Sequence, residues 1–465
     1  MLLVAILSCA HSTIGVPAPV AEAAPPDPPS PLDAPAAPPR DISPPSPDPA
    51  DAARQWQRLA ELCDGAGHRL AGSPGQRRAE QITAGWFDAD GVSVRLEPVK
   101  VPTWIRGDAS LQLSAPYAQS LPVLALGGSV ATPATGLEAP LVVVHDFAEL
   151  DGAVKGKIVL YDVPMKPGVP AIDYYGDAVA YRGQGPSRAA EHGAVAVLVR
   201  SVTTRSLGTI HTGGTWYAPE FPKIPAAAVS TETAAMLSRL VERGEVKLKL
   251  SMSPRYAPDS DAFNVVGEIR GRDLPGEIVV VGAHLDSWDV GQGAHDDGAG
   301  VVHVVEAMRA IAARGQPRRT IRGVLFANEE NGLRGGRAYF AAHGHERHVA
   351  ALETDLGGGS PRGWGVTATP EQRAWIEPML SASRLWVREG GGGADISPLT
   401  GDGVLSVGLI PDDEHYFDYH HTWADTVDKV DPIALAEGTI AITELTWVLA
   451  NADGAPPKGT PPSSP

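Results

Sequence analysis

From Asp261 onward the chain repeats one pattern: a short apolar extended run, a polar loop, and an apolar segment of helical period. The segments are Asn264 to Ile269, Glu277 to Val281, a helix over Ala299 to Arg314, Ile321 to Phe326, a helix over Arg334 to His343, and Val349 to Glu353. Strands this apolar, alternating with helices, bury both faces by forming an open α/β sheet, mostly parallel though mixed, with helices on both sides. In such a sheet the crevice that takes ligands lies beyond the carboxyl ends of the strands. The pattern therefore predicts a fold class and also the place to look for chemistry.

Those carboxyl ends carry metal-ligand residue types. The strand over Glu277 to Gly282 runs into Ala283-His284-Leu285-Asp286, and positions two apart on an extended chain point the same way. Asp286 is therefore expected behind or beside His284, as a carboxylate that fixes the tautomer of a metal-bound imidazole. His295-Asp296-Asp297-Gly298 then opens the long apolar helix, the next strand ends in Asn328-Glu329-Glu330, and the one after it in Glu353-Thr354-Asp355. A later loop carries Asp418-Tyr419-His420-His421-Thr422. Two cations about 3.5–4 Å apart need a bridging carboxylate and further N or O ligands on each, a mixture that Zn²⁺ accepts. His284, Asp296, Glu330, Asp355 and His421 meet that demand. Glu329, next to a ligand yet free itself, stands where a general base for a metal-activated water belongs. In a chain of net charge −17, any one such residue alone would read as a solvated acidic loop. Five at successive strand ends, with a doubled Glu after an apolar strand, read as a site.

The rest of the 465-residue chain is organised around that block. Residues 51–120 are expected to form a first catalytic segment, with helical spacing from Asp51 and a second amphipathic helix over Arg77 to Phe87. Residues 121–252 hold extended runs such as Leu141 to Val144 and Lys157 to Tyr161, with helices over Ser187 to His192 and Thr231 to Gly244. They read as a β-rich domain inserted into the catalytic one, which resumes over 253–451. Residues 1–24 read as an export signal. MLLVAILSC is apolar and ends in small residues and Cys9, as in a lipoprotein acylated on its cysteine, with plain cleavage near Ala21 to Ala24 as the other form of export. Residues 17–49 contain 14 of the 43 prolines, so 25–50 reads as a polyproline-like tether, and 452–465 as a disordered tail. The expected location is extracytoplasmic, either secreted or anchored at a membrane through Cys9. No run of 18 apolar residues interrupts the body, and Cys9 and Cys63 leave no intramolecular pair for the mature chain. With 38 basic against 55 acidic side chains, nucleic acid is not an expected partner.

Gly282-Ala283-His284-Leu285-Asp286-Ser287-Trp288-Asp289, Asp296-Asp297-Gly298, Glu329-Glu330, and His421-Thr422 followed by Asp425-Thr426 resemble the co-catalytic dizinc exopeptidases of the glutamate carboxypeptidase and bacterial leucyl aminopeptidase family. Asp64, Gly67, Arg69-Leu70 and Gly72-Ser73 are similar to that family's first catalytic segment. Gly156 to Val159 and Lys223-Ile224-Pro225 are similar to its inserted protease-associated domain. The resemblance implies two Zn²⁺, with Asp296 bridging, His284 and Asp355 on one ion, Glu330 and His421 on the other, Glu329 as base and Asp286 supporting the ligands. It also implies a cis Asp296-Asp297 peptide, short peptides and dipeptides with free termini as substrates, and an inserted domain that assists homodimer formation or caps the cleft. An aminopeptidase of the same family would keep every ligand. A non-catalytic binding protein on this scaffold would be expected to have lost one, and none is lost. His295 stands where relatives carry an apolar residue and is expected to line its loop, while Gly390 to Gly393 replace a less glycine-rich loop. Trp288 is expected to floor the site, and His343, His345 and His348 to mark a solvated helix end.

Overall fold

The computed structural model describes residues 47–459, so the signal, tether and Cys9 readings over residues 1–46 lie outside the described part. Within it, one eight-stranded sheet carries the α/β pattern. Its centre is four adjacent parallel strands, Arg319–Phe326, Leu274–His284, Arg347–Glu353 and Leu405–Pro411. Arg255–Ile269 and then Ser93–Ile105 extend one edge by antiparallel pairing. Pro361–Thr367 and Trp386–Glu389 extend the other.

Side chains alternate across this sheet as the period of two requires. Val279, Val281 and Ala283 pack with Val301, Val305, Ile442 and Leu445 of the helices Ala299–Arg314 and Pro432–Asn451. Ile278, Val280, Val324 and Phe326 pack on the opposite face with Tyr339 of Arg334–His343 and with Ile396. Each large aliphatic side chain so buried contributes about 1.5–3 kcal/mol, which fixes the register of the strands that end at the site. The chain passes from Leu274–His284 to a neighbour on one side, then crosses to Arg347–Glu353 on the other. That reversal of strand order opens a crevice at His284.

The helices Ala299–Arg314 and Arg334–His343 fall where the sequence pattern puts them. The strands Pro361–Thr367, Trp386–Glu389 and Leu405–Pro411, and the helices Pro370–Ala382 and Pro432–Asn451, extend the series beyond what the pattern assigned. Pro432–Asn451 is long and apolar enough to cross a membrane by length and composition alone, with 20 residues and a mean hydropathy of 1.4. Its Leu435, Ile442, Leu445 and Leu449 are all buried in the fold, which explains that composition.

A second eight-stranded sheet spans Ala109 to Met252. Its first strand, Ala109–Ala115, precedes the expected boundary at 121. Leu111 and Leu113 share a core with Leu248 and Leu250 of the paired strand Lys247–Met252, and that burial assigns the strand to this sheet. The unit is also mixed α/β. Leu137–Val144, Ile158–Tyr161, Ala196–Arg200 and Ala226–Val229 run parallel, with Leu237 of Thr231–Val241 in one apolar cluster and Ala189 of Gly185–Glu191 in another. The helix Thr231–Val241 ends three residues before Gly244, so that glycine is not its cap.

Candidate active site

His284 closes the strand Leu274–His284, and its Nδ1 lies 3.0 Å from the Asp286 backbone carbonyl. A proton on Nδ1 donated to that carbonyl leaves the Nε2 lone pair facing outward. Nε2 is 3.1 Å from Asp296 Oδ1 and 3.1 Å from Asp355 Oδ1. On the other side of Asp296, Oδ2 is 3.1 Å from His421 Nε2, which is itself 3.2 Å from Glu330 Oε2. The two oxygens of one carboxylate thus face two separate His–carboxylate pairs. Ligand atoms bound to one tetrahedral cation at about 2.0 Å would stand roughly 3.3 Å apart, close to these spacings. Asp296 Oδ2 has no hydrogen-bond partner among the described residues despite its short distance to His421, as expected of atoms that converge on a common point. Glu329 lines the same cavity beside Asp296, Glu330 and Asp355.

The electrostatics also favour a cation here. Burial raises Asp355, and it raises Glu329 and Glu330 well above the usual carboxylate range, with neighbouring carboxylates adding to each. Burial works the same way on Asp296, but the His284 and His421 rings hold it well below that range. So many acids in one dry pocket repel one another unless positive charge is supplied.

The model of peptidase family M28 matches residues 264–446. Carboxypeptidase Q of Xenopus laevis is 38% identical over 422 residues, covering 87% of this chain and 87% of its own. The chain belongs to peptidase family M28. It is a metallo-exopeptidase. The crystal structure of a peptidase M28 precursor from Shewanella amazonensis, 35% identical, superposes with a TM-score of 0.82 over 88% of this chain and 95% of that one. The zinc aminopeptidase BSAP of Bacillus subtilis, 20% identical with a TM-score of 0.64 over 87% of this chain and 96% of its own, shares the fold.

Around the centre of this M28 peptidase, several side chains act through the backbone. The Asp286 carboxylate does not hold the His284 ring. Its Oδ1 is 3.8 Å from Nδ1 and accepts the Glu329 backbone N–H at 2.9 Å. The chain leaves the sheet after His284, which turns a carbonyl toward the ring and the carboxylate toward the neighbouring strand end. The Asp296-Asp297 peptide is cis, and Asp297 accepts the His284 and Gly300 backbone N–H groups. Asp425 accepts the N–H groups of His295 at 2.7 Å and Asp296 at 3.1 Å, so it locks the loop that presents Asp296. Arg69 donates to the carbonyls of Leu285, Gln292 and Gly293 from beneath. Glu353 accepts the Asp395 and Ile396 N–H groups, and a Cβ at Gly393 would stand 2.0 Å from its carboxyl carbon, so the glycine-rich loop closes directly on it.

The second sheet reaches the centre as well. Thr212 accepts from His421 Nδ1 through its carbonyl at 3.3 Å and donates its N–H to the His421 carbonyl at 3.0 Å. Arg106, paired with Asp289, donates to the Thr212 hydroxyl at 2.9 Å. The sequence pattern singled out neither Thr212 nor Arg106, and Asp425 only as part of the motif His421-Thr422 followed by Asp425-Thr426, without a role. Trp288 is buried with its ring 5.8 Å from that of His421, and its backbone N–H is donated to Glu330 Oε1 at 3.1 Å. His420 stacks on His421, and its Nε2 is 3.6 Å from Asp296 Oδ2, farther than His421. His295 is buried, hydrogen-bonded to Gly358 and Lys429, and burial pulls its pKa down to about 4, as befits a loop-lining residue. Of the histidines expected at a solvated helix end, His345 is exposed, but the other two are packed. His343 pairs with Glu97, and His348 is buried against Tyr339, because the helix Arg334–His343 folds onto the sheet edge.

Proposed function

We propose that this M28 peptidase is a two-zinc exopeptidase of the carboxypeptidase Q kind, hydrolysing dipeptides and short peptides with free termini. The observation that carries the reading is the division of the Asp296 oxygens between His284 with Asp355 and His421 with Glu330, at 3.1–3.2 Å. Those five residues would hold the two ions. Bound zinc supplies Lewis-acid polarisation of a scissile carbonyl and of water. Glu329 then takes a proton from the attacking water and returns it to the leaving amine. Burial, which raises its pKa, brings a carboxylate toward the range useful to a general base. Asp286 fixes the backbone that aims Glu329, and the Asp286 carbonyl fixes the His284 tautomer. The cavity against this centre is about 860 Å³, enough for a short peptide, and is lined by residues of both units.

The unit from Ala109 to Met252 would be a protease-associated domain that caps the cleft or assists a homodimer. Residues 1–24 would direct export and the stretch before the helix Pro49–Ala66 would tether the enzyme, with Cys9 as a lipid anchor; residues 452–459, expected as part of a disordered tail, instead bond to the fold, through Gly459 N–H to the Gly403 carbonyl and Gln372 to the Pro457 carbonyl. A panel of free, N-blocked and C-blocked dipeptides, with zinc content measured, tests the activity. Hydrolysis of free and N-blocked dipeptides by protein holding two zinc ions is expected. Restriction to substrates with a free amine would make it an aminopeptidase, and no turnover at full zinc content would leave a binding protein.

A further inference from the structure

Beyond the proposed ligands, the cavity is lined by carbon-rich side chains, among them Pro102, Val179, Leu333, Leu356 and Trp216. Trp216 belongs to the segment between the strands Ala196–Arg200 and Ala226–Val229, and it is 59% exposed although its backbone is held firmly. Its N–H donates at 3.0 Å to the carbonyl of Gly183, the last residue of the helix Tyr175–Gly183, and the Thr215 hydroxyl donates to the same carbonyl at 3.2 Å. Two residues further on, the Ala218 N–H donates to Ser187 Oγ at 2.8 Å. The indole itself lies on two glycines, since a Cβ at Gly183 would stand 2.8 Å from its Cζ3 and one at Gly214 would stand 3.2 Å from its Cζ2. Neither glycine has a positive φ, so the backbone does not demand glycine at either position, whereas room for the ring does.

Gly214 also places the ring relative to the chemistry. Its Cβ would stand 3.5 Å from the Glu330 carbonyl, so one glycine separates the indole from the chain that carries Glu329 and Glu330. A lone exposed apolar side chain needs no explanation, but this one is fixed at the wall of a cavity beside the proposed centre. An indole offers a large rigid apolar face with little rotamer freedom to lose, which suits packing against a flat or bulky apolar group. Arg334 and Arg337 line the same cavity, and like charge disfavours a Lys or Arg side chain there. We infer that Trp216 is the wall against which the substrate side chain next to the scissile bond packs, so that the inserted unit selects dipeptides with an aromatic or large apolar residue. The inference rests on the exopeptidase reading above.

The test measures kcat/KM for phenylalanyl-alanine, alanyl-phenylalanine and dialanine in the unaltered protein, Trp216→Ala, Trp216→Phe and Leu207→Ala, with zinc content and oligomeric state determined for each. Leu207 is 57% exposed on the same segment and does not line the cavity. Trp216→Ala should lower the ratio of the better phenylalanine substrate to dialanine by about 10- to 100-fold, chiefly through KM, with zinc retained. Trp216→Phe should keep most of the ratio and Leu207→Ala all of it. Equal losses on all three substrates, as a merely structural role would give, overturn the inference, as does a ratio moved as far by Leu207→Ala. A shifted monomer–dimer balance with an unaltered ratio would make Trp216 a contact between copies and overturns it too. Should Trp216→Ala fail to fold, Gly183→Ala pushes the indole off its bed and is read by the same ratio. Turnover with an unaltered ratio sinks the Trp216 assignment alone, whereas unaltered zinc-loaded protein that cleaves none of the three sinks the exopeptidase reading with it.

Discussion

The adjacent glutamates give the sharpest separation of roles. Glu330 Oε1 accepts the Trp288 N–H at 3.1 Å while Oε2 faces His421 Nε2 at 3.2 Å. Glu330→Ala therefore removes an atom from one proposed zinc and leaves a buried backbone donor unpaired, which costs about 1–3 kcal/mol before any loss of metal. Because metal binding at such a site is also folding free energy, zinc content and thermal stability should fall together. The carboxyl of Glu329 makes no hydrogen bond to the described residues, and its backbone N–H keeps its bond to Asp286 whatever the side chain. Glu329→Gln preserves shape and should leave zinc content unchanged, while losing the about 10²–10⁴-fold that general base catalysis supplies, in kcat. Steady-state kinetics on a dipeptide, elemental analysis and a melting curve on each variant decide it. Near-normal turnover in Glu329→Gln, or two retained zinc ions in Glu330→Ala, would refute the assignment of these roles.

Three further outcomes are expected. Asp425→Asn gives up one of the two N–H bonds that present Asp296, and zinc affinity, measured by chelator competition, should weaken about 10- to 100-fold. Chelation should expose the loop around Thr212 to a protease, since its partner His421 is a proposed zinc ligand, while Val197 and Leu248 in the two apolar clusters of the second unit stay protected; cleavage at those clusters at the same rate would argue against separate cores. Glu80, buried away from the centre, has its pKa pushed up to about 7 by burial, against the Phe263 N–H and Arg77. A raised native pKa means that the stability tied to its neutral form is complete below the ordinary value of 4.5 and is lost as pH rises through about 7. Glu80→Gln should therefore gain on the unaltered protein by about 1–3 kcal/mol between pH ~5 and pH ~8 in urea denaturation, and identical pH slopes would sink this reading.

The parts of the fold legible in the sequence were those governed by local period. The run from Val279 to Ala283 and the helix Ala299–Arg314 bury faces that repeat every two and every 3.6 residues, and that regularity is visible without coordinates. His284, Asp296, Glu330, Asp355 and His421 could be proposed as ligands from residue type because each stands at or beyond the end of an apolar strand run, and the structure brings them within 3.1–3.2 Å of one another in pairs. Pairing over distance was not legible. Ala109–Ala115 belongs to the second sheet because Lys247–Met252 pairs with it from far along the chain. The Asp286 carboxylate was expected behind His284 because two residues of strand would place it there, but the strand ends at His284 and the geometry changes. Backbone carbonyls as partners, from Asp286 and Thr212, leave no trace in residue identity at all.

The Thr212 contact also explains why the second unit bears directly on the chemistry. His421 is not a glycine, yet its backbone is left-handed at φ 61, a conformation that costs of order 1–3 kcal/mol and persists only where surroundings over-determine it. Here they do so through two hydrogen bonds to one residue, Thr212, which fix both the peptide and the ring tautomer. Arg106 holds Thr212 in turn, and Arg106 is tied to Asp289, in the loop that follows His284. A chain of polar contacts therefore runs from the loop after one strand of the catalytic sheet through the inserted unit to His421, a proposed ligand of the opposite pair. The Ala109–Met252 unit, through Thr212, thus helps to orient one of the proposed ligands presented by the catalytic sheet.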